Sequence, residues 1–140
     1  MKYAIVEGVR REAVPGLRAE CPGCQAAVIA KCGERRVRHW AHLGMRNCDH
    51  WWEPETEWHR AWKNEFPVEW QESIHRAADG ERHIADIKSV HGGVLEFQHS
   101  QLRPDERRSR EAFYGSAMAW VVDGRRLRRS VPQFFCALRS

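Results

Sequence analysis

In the second half of the chain, apolar residues follow helical spacing in some segments and strand spacing in others. Trp58, Trp62 and Phe66 recur at helical intervals, which predicts a helix over residues 55–66 that ends at Pro67. These aromatic residues form a stripe suited to burial. The further elements predicted are strands at 68–74, 82–90 and 94–100, a helix at 104–117 and a buried strand at 118–124. The predicted order is α-β-β-β-α-β, an α/β (α+β) fold class.

The first half of the chain contains short β-prone segments separated by turns. Residues 3–13 predict an initial strand and turn. Residues 26–29 and 36–40 predict a hairpin that turns at Cys32-Gly33-Glu34. This half is therefore predicted to be a small β module.

The two patterns meet at an irregular connector, residues 43–54. We therefore predict two domains, a Cys/His module at residues 1–50 and a larger domain at residues 51–140. The apolar tail at residues 131–140 fits no predicted element.

Composition narrows the class of protein without identifying a partner. The chain has 140 residues, with 23 basic and 19 acidic side chains and a net charge of +4. This balance permits a polyanionic partner but does not require one. No apolar run is long enough for a signal peptide or a membrane span. Five cysteines, two of them in C-x-x-C, favour a cytoplasmic protein with a metal site over a disulfide scaffold.

A Cys pair and a His pair lie in the predicted β module. Cys21 and Cys24 form C-x-x-C, and His39 and His42 form H-x-x-H. Thiolates and imidazoles are the preferred ligands of Zn²⁺, so these four residues predict a structural zinc site. Two alternatives stay open at this point. Cys48, His50 or Cys32 could replace one histidine, or the cysteines could be free thiols.

Two acids occupy the predicted hairpin "HIADIKSVHGGVLEFQHS", residues 83–100. Asp86 lies in its first strand and Glu96 in its second. Carboxylates on neighbouring strands could hold one Mg²⁺ or Mn²⁺, and Gln98 shares a face with Glu96. Spacing alone favours the alternative, in which both acids lie on a solvent face.

The predicted first helix carries a polar stripe beside its aromatic one. Glu55, His59 and Lys63 recur every four residues and could border the acidic hairpin. On the second helix, Arg110 and Tyr114 are also four apart and could reach a phosphate. Ordinary helix surfaces explain both patterns equally well. We expect four other histidines to be surface or turn residues: His75, His83, His91 and His99.

Five short motifs in order resemble the competence protein CoiA family, whose nuclease-like domain belongs to the PD-(D/E)XK superfamily. The motifs are "ECPGCQAAVIAKCGERRVRHWAH", "ETEWHRAWK", "HIADIKSVHGGVLEFQHS", "RSREAFY" and "MAWVV". Each motif is weak alone, and together they span about residues 3–123.

The resemblance implies a PD-(D/E)XK restriction-endonuclease-like core, αβββαβ, that acts on DNA. It makes Asp86 and Glu96 the Mg²⁺ or Mn²⁺ ligands and places Gln98 where the superfamily usually has lysine. It adds catalytic residues from the first helix, which are Glu55, His59 and Lys63, and nucleic-acid contacts from the second, which are Arg110 and Tyr114.

Two functions from different classes follow. One is a Mg²⁺-dependent deoxyribonuclease with a zinc-stabilised N-terminal module. The other is a catalytically inactive, zinc-containing nucleic-acid-binding protein, because glutamine at position 98 lacks the positive charge of lysine.

Overall fold

A computed structural model of the chain describes residues 1–44 and 48–125. It is a mixed α/β structure with two sheets and two helices. The first sheet contains β1 (Tyr3–Val6), β2 (Val9–Glu12), β3 (Arg18–Glu20), β4 (Ala27–Lys31) and β5 (His39–His42). Its strands are antiparallel and lie in the order β2-β1-β3-β4-β5.

The second sheet is flanked in sequence by the two helices. The elements in chain order are α1 (Glu57–Asn64), β6 (Gln71–Arg76), β7 (Arg82–Lys88), β8 (Val94–Gln98), α2 (Pro104–Tyr114) and β9 (Met118–Val122). Strands β6, β7 and β8 are antiparallel neighbours, and β9 joins β8 in parallel after the α2 crossover. Neither helix of the described ranges has the length and apolarity that crossing a membrane demands.

The order of elements in the second half agrees with the predicted order, although some elements begin at later residues than predicted. Helix α1 begins at Glu57 because the Thr56 side chain caps it by accepting the His59 N–H. Residues 68–70 form a 3-10 turn, and the strand predicted there begins only at Gln71. The first half contains β2 and β3 in addition to the predicted strands, and the tail at 131–140 lies outside the described residues.

Helix α1 buries a different face from the one predicted. Its buried residues are His59 and Lys63, whereas Trp62 is 39 % exposed. The aromatic stripe still packs on β8, because Trp58, Trp62 and Phe66 all contact the Phe97 ring. The polar stripe faces inward because it meets buried carboxylates.

Each sheet has its own apolar core. In the first, Val28 and Trp40 are fully enclosed, and the Trp40 indole donates to the Arg11 carbonyl. In the second, Trp51 packs with Ala85 and the other buried residues of that core.

Glu72 on β6 ties the two sheets together. Its carboxylate accepts the backbone N–H groups of Lys2 and Tyr3, at 2.6 and 3.0 Å. The Lys2 ammonium also donates to Gln71 Oε1, at 2.9 Å. The start of β1 is therefore held against the edge of the second sheet.

Candidate functional site

Three carboxylates stand in one row across three neighbouring strands. The pairs Gln71↔Ile87 and Ser73↔Ala85 place Glu72 opposite Asp86, and the pair Ile87↔Leu95 places Asp86 opposite Glu96. Glu72 has a φ of +48°, in the left-handed region that non-glycine residues seldom occupy. The regular sheet is therefore distorted where the acids lie.

The carboxylates of Asp86 and Glu96 replace the backbone pairing between β7 and β8. Glu96 Oε1 accepts the Asp86 N–H at 3.3 Å, and Asp86 Oδ2 accepts the Phe97 N–H at 2.9 Å. Glu96 is 5 % exposed. The two acids thus converge on one another and do not lie on an open solvent face.

Lys63 places its ammonium among three carboxylates. Its Nζ lies 3.1 Å from Glu55, 2.9 Å from Glu72 and 3.1 Å from Asp86. Burial opposes the charge of Lys63, but these acids outweigh burial and raise the pKa of Lys63 well above its ordinary value. Burial raises the pKa of Glu72. The charge of Lys63 and two backbone N–H donors outweigh burial and lower the pKa of Glu72 to about 2. Lys63 and Glu72 are therefore both charged at neutral pH.

Glu96 is the acid whose charge is least compensated. Burial and repulsion from Asp86 raise the pKa of Glu96 to about 8, against the attraction of Arg110. The Arg110 guanidinium lies 3.1 Å from Glu96 Oε2 and also donates to Glu106 and the Trp51 carbonyl. Tyr114 is buried, which raises its phenol pKa. A cation near Glu96 would stabilise its ionised form.

Glu53 organises the other end of the site. Its carboxylate accepts hydrogen bonds from Gln98 Nε2 and the Ser100 hydroxyl, and lies 3.3 Å from His59 Nε2. Burial raises the pKa of Glu53, but the His59 and Ser100 contacts outweigh it and leave the value lowered. Gln98 Oε1 is buried and has no hydrogen-bond partner among the residues that the structure describes. It is a free acceptor for water or a cation.

These groups border one cavity of about 90 Å³, here called the acid cleft. Its walls include seven residues predicted from the sequence, which are Glu55, His59, Lys63, Asp86, Glu96, Arg110 and Tyr114. Gln98 is not part of the wall, although Glu53, which binds it, is.

Sequence reasoning did not identify Glu53 and Glu72. Glu53 follows no periodic pattern because it lies in the connector before α1. Glu72 lies in a predicted strand, and only the strand register would have placed it opposite Asp86.

The second cluster combines residues from the β3–β4 turn, the end of β5 and the connector that follows. Its members bring their ligand atoms within 4.8 Å of one another and are Cys21, Cys24, His42 and Cys48. Cys21 Sγ lies 3.5 Å from Cys48 Sγ, and Cys24 Sγ lies 3.3 Å from His42 Nε2. His39, predicted as a ligand, lies outside the group and pairs its Nδ1 with the Val37 carbonyl. Cys48 takes its place.

The turn around Cys21 is shaped for close sulfur packing. The Gly23 N–H donates to Cys21 Sγ at 3.4 Å, and a Cβ added at Gly23 would meet Cys48 Sγ at 2.7 Å. The thiols of Cys21 and Cys48 share a hydrogen bond, which lowers the pKa of Cys21 to about 4 and raises that of Cys48. Three sulfurs and one imidazole are a donor set that suits a metal such as zinc.

A further group of possible metal ligands has its ligand atoms within 4.8 Å of one another. It contains Asp49, His50 and His83. Among the described residues, Asp86 and Glu96 belong to no group of three or more such ligands. His83 was expected at the surface but is 2 % exposed, because it stacks on Trp51 and pairs with Asp49 at 2.8 Å. Its other nitrogen pairs with Glu81 at 2.9 Å. With both nitrogens already paired, this group is a structural anchor.

Comparison with known proteins gives a match to a family model. Residues 9–50 match the family model described as Competence protein CoiA, N-terminal domain. No curated protein and no solved structure matches the chain. The match confirms the CoiA-like resemblance, and it includes Cys21, Cys24, His42 and Cys48.

Proposed function

We propose that this CoiA-like chain is a metal-dependent nuclease that hydrolyses DNA phosphodiester bonds. The observation that carries the proposal is the acid cleft, in which Asp86 and Glu96 converge beside the buried ammonium of Lys63. The name of the matched family indicates competence, so we propose DNA uptake or recombination as the process.

The arrangement of the second sheet supports the proposal. The order α1-β6-β7-β8-α2-β9, with three antiparallel strands and a parallel fourth, is the αβββαβ order of the PD-(D/E)XK core that the resemblance implies. We accordingly assign residues 51–140 to the nuclease-like domain and residues 1–50 to the zinc module.

The residues of the acid cleft fit a hard divalent cation. Asp86 and Glu96 offer carboxylate oxygens, and the buried Gln98 Oε1 is an unpartnered amide oxygen nearby in sequence. When bound there, Mg²⁺ or Mn²⁺ supplies Lewis-acid polarisation of a phosphoryl oxygen and acidifies a water molecule. The chain's part is to hold both carboxylates in place and oriented.

Lys63 compensates for the glutamine at position 98. The Lys63 ammonium lies 3.1 Å from Asp86, so it reaches the region where the superfamily lysine would act. A buried positive charge stabilises negative charge that develops on a phosphate. Glu55 and Glu72 hold this ammonium, while His59 bonds the Phe97 carbonyl and fixes α1 on β8. Arg110 and Tyr114 are the proposed phosphate contacts of α2.

For the first sheet we propose a structural Zn²⁺ held by Cys21, Cys24, His42 and Cys48. The four ligand atoms already lie close together, and the Gly23 turn leaves room for the sulfur of Cys48. Such a site would stabilise a module with few large buried side chains.

Cleavage of single- and double-stranded DNA with Mg²⁺, with Mn²⁺ and without added metal tests the nuclease proposal. We expect Asp86→Asn and Glu96→Gln each to lower the cleavage rate at least about a hundredfold, a scale typical of lost electrostatic stabilisation. Glu57→Gln is the matched control because Glu57 is an exposed acid of α1. Cleavage that persists in both cleft variants would contradict the proposal.

The second candidate is a catalytically inactive nucleic-acid-binding protein. It is favoured by the ion pairs of the cleft, because Lys63 already pairs with Asp86 and Arg110 already pairs with Glu96. It predicts salt-sensitive DNA binding and no cleavage with either ion.

A further inference from the structure

Glu53 is a largely buried acid of the acid cleft, and the chemistry proposed above gives it no part. Gln98 Nε2 and the Ser100 hydroxyl donate to its carboxylate, and His59 Nε2 lies 3.3 Å away. The second neighbour of His59 Nε2 is the Phe97 carbonyl at 3.0 Å, so both neighbours are acceptors and this nitrogen carries a hydrogen. The Glu53 carboxylate is therefore held in place by donors from α1 and from residues 98–100.

The surroundings of the Gln98 amide determine which way round the amide lies. Its Nε2 donates to the Glu53 carboxylate and to the Ser100 carbonyl, the latter at 3.0 Å. An amide nitrogen has two hydrogens to donate, whereas the amide oxygen can only accept. Turning the amide over would place Oε1 against both of these acceptors, and the Ser100 hydroxyl already donates to Glu53. Glu53 and the Ser100 carbonyl therefore fix the orientation of the amide.

This orientation leaves Gln98 Oε1 as a buried acceptor. Gln98 is 4 % exposed, and its Oε1 has no hydrogen-bond partner within residues 1–44 and 48–125. Leaving a buried acceptor unpaired is unfavourable, and an amide oxygen is an ordinary ligand of hard divalent cations. Gln98 and Glu96 are two residues apart on β8, so their side chains leave the same face of the sheet. Glu53, which binds the nitrogen of the same amide, lines the acid cleft.

We propose that Glu53 is a positioning residue that, with the Ser100 carbonyl, turns the Gln98 amide so that Oε1 becomes a neutral third ligand of the divalent cation at Asp86 and Glu96. This inference rests on the proposed nuclease function and gives the connector before α1 a part in it. Glutamine at position 98 then acts as a cation ligand and not as a weak substitute for lysine. Glu53 acts through the amide because its own oxygens already accept from the side chains around it.

The first measurement uses NMR of the zinc-loaded full chain without any substitution. The side-chain amide signals of Gln98 are assigned by their loss in Gln98→Met. Both Nε2 hydrogens should exchange with water more slowly than those of Gln101, an exposed glutamine, because both are hydrogen-bonded. Addition of Mg²⁺ should shift the side-chain carbonyl carbon of Gln98 downfield and leave that of Gln101 in place.

The second measurement is the affinity for Mn²⁺, from the electron paramagnetic resonance signal of the unbound ion. Gln98→Met keeps the length of the side chain and removes Oε1, and Glu53→Gln removes the charged acceptor of Nε2. Each should weaken Mn²⁺ binding about 10- to 100-fold, the usual effect of losing a group that holds or orients a metal ligand. The double variant should bind no more weakly than Gln98→Met, because Glu53 acts through the amide. Glu57→Gln, at an exposed acid of α1, is the control and should bind like the parent.

Parental Mn²⁺ affinity in Gln98→Met would overturn the inference, as would a Gln98 carbonyl signal that Mg²⁺ leaves in place. A further loss of affinity on adding Glu53→Gln to Gln98→Met would make Glu53 a ligand itself and overturn its positioning role. Failure of the nuclease proposal looks different, because Mn²⁺ binding would still depend on Gln98 and Glu53 while the parent chain cleaved no DNA.

Discussion

At the scale of single residues, Lys63 shows how a charge can be buried. An isolated ammonium in the interior costs several kcal/mol, and Lys63 is 4 % exposed. It is tolerated because three carboxylates from α1's N-terminal flank, β6 and β7 surround it. If Lys63 were removed, these three carboxylates would be buried charges without the ammonium that pairs with them.

Lys63→Met should therefore destabilise the protein by roughly 3–5 kcal/mol, the usual result of breaking a buried pair. The measurement is the free energy of unfolding from urea titration. Adding Glu72→Gln to Lys63→Met should recover part of the loss, because one unpaired charge is removed. Lys31→Met is the control, since Lys31 is exposed. Equal stability of Lys63→Met and the parent would refute this account of the cluster.

Gly23 makes a second prediction at the same scale. A methyl group there would approach Cys48 Sγ to 2.7 Å, whereas one at Gly33 would meet nothing within 4 Å. Gly23→Ala should therefore weaken retention of the proposed zinc ion, and Gly33→Ala should not. Competition with a chromogenic chelator measures the difference. Identical zinc retention by the two variants would argue against Cys48 as a ligand.

At the scale of elements, the connector after β5 is anchored on β7 through His83. Asp49 accepts from His83 Nδ1 and from the Ile84 N–H, while Trp51 stacks on the His83 ring. Burial opposes the charged imidazolium, but the Asp49 and Glu81 hydrogen bonds outweigh it and raise the pKa of His83 above 6.5. The anchor is strongest when His83 is protonated.

The sign of the pH dependence follows from that raised pKa. The stabilisation by His83 is fully present below its unfolded pKa of 6.5 and is lost as the pH rises through the higher folded pKa. We expect the free energy of unfolding of the parent to fall across this window and the slope to flatten in His83→Gln. His91→Gln, at an exposed histidine, should keep the parental slope. A parental slope in His83→Gln would contradict the assignment.

Helix α1 shows where local pattern stops being informative. Its helical spacing and its Thr56 cap are encoded locally, so the helix itself could be predicted. Which stripe faces inward depends on the acids of β6 and β7, which are distant in sequence. Aromatic residues are usually the buried ones, and here they are half-buried on Phe97 while Lys63 is enclosed.

At the scale of the whole molecule, Glu72 connects the two sheets through the N–H groups of Lys2 and Tyr3. This contact predicts that the sheets unfold together in the parent. In Glu72→Gln, the segment around Val28 in the first sheet and that around Ala85 in the second should lose hydrogen-exchange protection at different urea concentrations. Glu69→Gln, at an exposed residue of the 3-10 turn, should keep the two sheets coupled. Simultaneous loss of protection in both variants would show that other contacts couple the sheets.

The sequence by itself determined the order of the elements in residues 51–123, the C-x-x-C pair and the two acids of the β7–β8 hairpin. These features depend on periodicity, turn chemistry and ligand type, which act over a few residues. Strand register also follows from alternation once the neighbouring strands are known, so the approach of Asp86 to Glu96 was within reach of sequence reasoning.

Only the tertiary structure decided which residues complete each site. Cys48 joins Cys21, Cys24 and His42 in place of His39, and Glu72 and Glu53 enter the acid cleft. These choices depend on how the chain returns after a connector and on how two sheets dock. Such contacts join residues far apart in sequence, and the free energy that selects among them comes from burial and charge pairing in the assembled fold.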